Sequence, residues 1–194
     1  MQVGVRYFDS LPDALISEFL TDIEASGVTC DVRKVPALPP MASLEAYVPT
    51  AIGLWLAANY FSPMIREAGK SHYQSLAKAI SKLFGALNGV SVTRIGTPGK
   101  ADKTYPYSLL LSLEAEGSRE IRFKLVLPIN ADPSDISEAV SVFLSFLERF
   151  HKDTLDERER AALASARIVG RHVIAVADVQ NNCVTFPDPL NNVQ

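Results

Sequence analysis

The residues best suited to chemistry in this chain are few and far apart. Asp9 follows the first strand-like run, and Arg33 and Lys34 close the second. Ligands of α/β folds gather beyond the carboxyl ends of parallel strands, so these charges share the end where a ligand would sit. Lys70 and His72 belong to Lys70-Ser71-His72-Tyr73, a polar cluster where an apolar segment turns basic. Asp9, Arg33, Lys70 and His72 are the candidate ligand-binding set, the site a small-molecule binder or an enzyme would use.

Two glycine-lysine pairs suggest phosphate loops, and both fail. Such a loop needs a glycine five positions before the pair, so that backbone amides wrap the phosphates. Met64 stands there for Gly69-Lys70, and Arg94 for Gly99-Lys100, which Ala101 follows in place of a magnesium-binding hydroxyl. His72, His151 and His172 have no metal-ligand spacing. Cys30 and Cys183 are the only cysteines, each in a strand-like run. Two thiols make neither a disulfide framework nor a four-cysteine zinc site. No nucleophile elbow, catalytic triad or spaced carboxylate pair is present. The reading leans against an enzyme and expects no metal and no cofactor.

Residues 46–65 carry no charge, and fourteen of the 20 are hydrophobic. A helix apolar all round lies in a core or a bilayer. Pro49 and Pro63 leave 13 uninterrupted residues, a helix of about 20 Å against a hydrocarbon layer of about 30 Å. The segment is therefore expected as a central buried helix. An outward apolar face, for self-association or a membrane interface, is the alternative. Tyr47, Trp55, Tyr60 and Phe61 are the residue types that anchor such contacts.

The formal net charge of −3 is unevenly spread. Residues 1–65 carry 3 basic and 7 acidic groups, residues 66–124 carry 10 and 5, and residues 125–194 carry 6 and 10. A basic middle can meet an acidic partner, anionic lipid, or the acidic ends of a second copy. Its basic residues are scattered without interleaved aromatics, which argues against nucleic acid.

These residues need elements to hold them. Residues 1–35 read as strand, helix, strand: Val3, Val5 and Tyr7 alternate, Ser10 and Asp13 suggest a helix cap, and Gly27 ends the helix. In hydrophobic pattern this unit resembles the first third of flavodoxin-like folds and of Toll/interleukin-receptor-like domains. The resemblance covers about 35 of 194 residues and carries no diagnostic motif. A proline-broken loop and a helical block follow over 36–88, with Tyr73, Leu76, Ile80, Leu83, Phe84 and Leu87 on one face. A β-meander is expected over 90–128, with a strand at 90–95 and a hairpin turning near Gly117. Its polar face, bearing Arg122 and Lys124, is expected to see water. Helices are expected over 132–169, opened by Asp132-Pro133 and by a capping box from Thr154 to Glu157, then a hairpin over 171–187.

Together these give an α+β chain of one domain: a mixed sheet, helices mainly on one face, and antiparallel hairpins in the C-terminal half. With 47% hydrophobic residues it can bury a real core. The first residues show no signal-peptide pattern and the last no lipidation signal, so the expected location is cytoplasmic, with reduced thiols. The leading expectation is a non-catalytic protein-interaction or regulatory module that forms a homo-oligomer. Its rivals are the small-molecule site above and a membrane-interface role for residues 46–65.

Overall fold

The computed structural model describes residues 2–37, 50–61, 66–87, 106–118, 121–129 and 131–188, with residues 66–71 described by backbone alone. The strand expected at 90–95, the glycine loop at 96–99 and Tyr47 lie outside the described residues.

Alternation over the first residues gives β1 (Gln2–Phe8), whose Val3, Val5 and Tyr7 are buried. Helix α1 (Asp13–Glu24) buries Ile16, Phe19 and Ile23. It is capped at Pro12 without a side-chain hydrogen bond, not at Ser10. Pro12 already holds the extended φ that a cap position requires, so the chain enters the helix two residues later than expected. Gly27, at φ 81°, then turns the chain back. Strand β2 (Thr29–Val35) pairs parallel to β1.

Residues 50–61 overturn the expectation of a buried helix. Ile52–Leu56 forms strand β3 in mid-sheet, and Ala58–Phe61 forms one turn of 3-10 helix. A strand buried on both faces is a continuous apolar run, which periodicity cannot distinguish from a buried helix. The expected helix survives in its second half as α2 (Arg66–Ala86), which buries Leu76, Ile80, Leu83 and Phe84.

The C-terminal half follows its pattern closely. Strands β4 (Tyr107–Glu116) and β5 (Arg122–Pro128) form the expected antiparallel hairpin. Helix α3 (Pro133–His151) starts at Asp132-Pro133. Helix α4 (Glu157–Ala164) follows with a capping box between Asp156 and Glu159, two residues beyond the one expected. Strands β6 (His172–Asp178) and β7 (Cys183–Thr185) close the chain as an antiparallel pair.

The seven described strands form one mixed sheet in the order β2-β1-β3-β4-β5-β6-β7. The order begins as in flavodoxin-like sheets. Here, however, only the first unit keeps the expected parallel direction throughout, because β1 and β2 are parallel whereas β1–β3, β4–β5 and β6–β7 are antiparallel. Helix α1 packs on α2 and α2 on α3, and one hydrophobic cluster runs from Val3 to Val184 between these helices and the sheet. The described helices lie on one face. The other face carries the candidate site.

Candidate functional site

Residues opposite each other in a sheet share a face. Counting from buried Val5, the residues on either side of it point away from the helices. Gly4 stands beside Trp55, Trp55 beside Glu114, Glu114 beside Lys124 and Lys124 beside Ile174, a row across five strands. A neighbouring row holds Arg6, Gly53, Ser112 and Val126, and another holds Glu116, Arg122 and His172. The helix-free face, opposite the described helices, therefore collects Arg6, Trp55, Glu114, Glu116, Arg122, Lys124 and His172.

Their contacts are specific. The Arg122 guanidinium lies 5.2 Å from the centre of the Trp55 ring, within reach of a cation–π interaction. Nε2 of His172 stands 3.9 Å from Oε2 of Glu114. Arg6 donates to the Thr50 carbonyl at 3.4 Å and sits 5.7 Å from the Phe8 ring centre. Glycines make room for these large groups. A Cβ on Gly53 would come 3.0 Å from Nη2 of Arg6, and one on Gly4 would come 3.1 Å from Cβ of Trp55.

Lys124 corrects an expectation: it does not face water but is 2% exposed. Burial lowers its ammonium to about 8, against the pull of the Glu114 carboxylate, while Arg6 pushes it further down. Burial pushes the Glu114 carboxyl up, yet His172, Lys124 and Arg6 outweigh it and hold the group below its ordinary value. Glu116 is engaged elsewhere, since its Oε2 accepts from the Ala58 amide at 3.0 Å. Among the described residues, Arg6, Arg122, buried Lys124 and His172 thus share this face with two carboxylates, Glu114 and Glu116. Guanidinium groups on such a surface match carboxylates and phosphates.

Of the four residues expected to bind a ligand, the three whose side chains are described, Asp9, Arg33 and His72, are not brought together. Asp9 is exposed, and its amide bonds to the Val35 carbonyl at the carboxyl end of β1 and β2. Arg33 is exposed and paired with Asp31 of its own strand at 3.2 Å. The groups that do meet at that end are Lys34, Asp13 and Tyr7: Asp13 accepts from Lys34 at 2.8 Å and from Tyr7 at 3.0 Å. His72 lies at the opposite end of these strands, 3.8 Å from where a Cβ on Gly27 would be. Lys70 falls in the first turns of α2, among residues described by backbone alone.

The expected aromatic surface divides in the same way. Tyr60 and Phe61 are 1% and 5% exposed, so they are core residues. Phe61 stacks on His151 with ring centres 4.9 Å apart, and Tyr60 stacks on Tyr73 at 6.0 Å. Only Trp55 of the described three lies on the helix-free face. Sequence reasoning missed Arg6, Glu114 and His172. The available signal was their placement between buried neighbours in alternating runs, as in Val5-Arg6-Tyr7 and Leu113-Glu114-Ala115.

Among the described residues no group of three or more His, Cys, Asp or Glu could hold a metal ion. None of the described helices is long and apolar enough to cross a membrane. Cys30 and Cys183 sit on β2 and β7, opposite edges of the sheet. Strand spacing of about 4.8 Å separates them by far more than a disulfide spans. Burial and the Glu24 charge push the Cys30 thiol up to about 11, which makes it unreactive. A cavity of about 490 Å³ opens near the start of α3, lined by Val126, Pro128, Ile136, Ala139 and Val176, with Asp135 as its carboxylate.

Comparison of the chain with family models, with curated proteins and with solved structures gave no match. The reading of function therefore rests on the residues themselves.

Proposed function

We infer that this chain is a protein-interaction module whose helix-free sheet face receives an acidic segment of a partner protein. The observation that carries the reading is the Arg122–Trp55 pair on a face that also holds Arg6 and His172. Tryptophan and arginine dominate the energetics of protein interfaces, and clustered cations select an acidic partner. The unequal charge along the chain supports the same reading, because Arg122 and Lys124 belong to its basic middle.

Trp55 is the one tryptophan of the chain, so its fluorescence reports this face alone. Titration with an oligoglutamate peptide at low salt is expected to shift or quench that emission saturably. Added salt should weaken the effect, since exposed charges are screened within about 10 Å at 0.1 M. Arg122→Glu should abolish it. An unchanged spectrum, or saturable binding that survives Arg122→Glu, would overturn the reading.

A further inference from the structure

Strand β2 is one edge of the sheet, with β1 as its neighbour among the described strands. Five of its seven residues are exposed, whereas the other edge, β7, is only three residues long. Val32, at the midpoint of β2, is 40% exposed, an apolar side chain between exposed Asp31 and Arg33. The outer side of an edge strand presents backbone donors and acceptors to a strand that can match it.

The charges of β2 specify which strand matches. Asp31 and Arg33 flank Val32 symmetrically and carry opposite signs. A second β2, laid antiparallel about a two-fold axis through Val32, sets Val32 against Val32. It also sets Asp31 of each copy against Arg33 of the other. Shifting the axis by one residue opposes Asp31 to Asp31 or Arg33 to Arg33. Side-chain period fixes such registers, and like charges directly opposite are unfavourable. In one copy Arg33 reaches its own Asp31 at 3.2 Å across solvent. The pairing exchanges that bridge for two across the seam. Such an axis stands perpendicular to the sheet, so the helices of both copies stay on one side and both charged faces on the other.

From this self-complementary edge we propose that β2 pairs with β2 of a second copy of this chain, antiparallel and centred on Val32, joining two seven-stranded sheets into one. This interface is independent of the acidic-partner reading, because its residues lie on the outer edge and not around Trp55.

The test is light scattering of the full chain with Asp31→Arg, Arg33→Asp and the double exchange. These side chains are exposed, and circular dichroism confirms that each variant folds. The wild-type chain should approach twice 21.2 kDa as concentration rises. Each single exchange should shift it to the monomer, and the double exchange should restore the dimer. A Val32→Cys variant in a Cys30→Ser, Cys183→Ser background adds a direct readout. Directly opposed strand residues lie within disulfide reach. Mild oxidation should give a covalent dimer for Val32→Cys and little for Ile168→Cys, an exposed control elsewhere. A wild-type monomer at every concentration would overturn the proposal. So would single exchanges that leave the dimer intact, or crosslinking no greater than the control.

Discussion

Lys124 and Glu114 stand directly opposite each other across β4 and β5, a buried ammonium facing a carboxylate that is 22% exposed. The arrangement explains why a charged residue sits within an otherwise apolar strand, Phe123-Lys124-Leu125. Desolvation disfavours the ammonium, and the facing carboxylate offsets part of that cost.

Removing one partner is expected to cost more than removing both. Glu114→Leu takes the carboxylate from a buried cation and should destabilise the fold by about 3 kcal/mol. Adding Lys124→Met should recover most of that loss. Urea unfolding of the two single variants and the double variant measures the coupling. Additive effects would show that the two groups do not interact.

The same lysine gives stability a pH dependence above neutrality. Its folded value is about 8, against an ordinary 10.5. Between these values the unfolded chain binds more protons than the folded one, so stability rises with pH. The rise should reach at most about 1.4 kcal/mol per pH unit. It should fade from about pH 9 upward, where Cys30 and then Tyr60 and Tyr73, all raised by burial, favour the unfolded chain as it ionises. Lys124→Met should flatten the slope between pH 8 and 10, measured by unfolding at several pH values. A slope unchanged in that variant would assign it to other groups.

On the acid side His151 acts. Its Nε2 lies 2.9 Å from the Glu116 carbonyl and its ring stacks on Phe61. Burial holds it below its ordinary value, against the opposing pull of Glu116. The folded chain then binds fewer protons than the unfolded one as pH falls from about 6.5. Stability is complete above that pH and is lost on acidification through it. His151→Gln should lose less stability than the wild-type chain between pH 7.5 and 5.5. An equal loss in both would show that His151 does not carry the effect.

Trp55 and Phe61, equal members of the aromatic surface suggested by the sequence, should behave oppositely. Phe61→Ala empties a core site and should cost about 3–4 kcal/mol. Trp55→Ala, on the helix-free face, should leave the melting temperature within a few degrees while removing the response to oligoglutamate. A strongly destabilised Trp55→Ala would make that residue part of the core.

Much of this architecture was legible where side-chain period is clean. Val3-Val5-Tyr7 and Ile121-Phe123-Leu125 alternate, and Ile136, Val140, Phe143, Leu144 and Leu147 recur at helical spacing, so their elements form as expected. Ile52–Leu56 was not legible, because a central strand with both faces buried loses its alternation. The cap positions shifted by two residues because backbone entry falls at Pro12 for α1, and because Asp156 rather than Thr154 meets the Glu159 amide for α4. The candidate site was half legible. Arg122 and Lys124 were placed on the correct face, but their partners Trp55, Glu114, Arg6 and His172 come from four other strands, and a single sequence does not show which strands become neighbours.

The most direct measurement is a nitrogen–proton correlation spectrum of the isotope-labelled chain titrated with oligoglutamate. The account predicts that shifts concentrate on the Trp55 indole and on backbone amides of Arg6, Glu114, Arg122 and His172, leaving the outer faces of α1 and α3 unchanged. Shifts confined to the helices, or none at all, would contradict the claim that the helix-free sheet face is the binding surface.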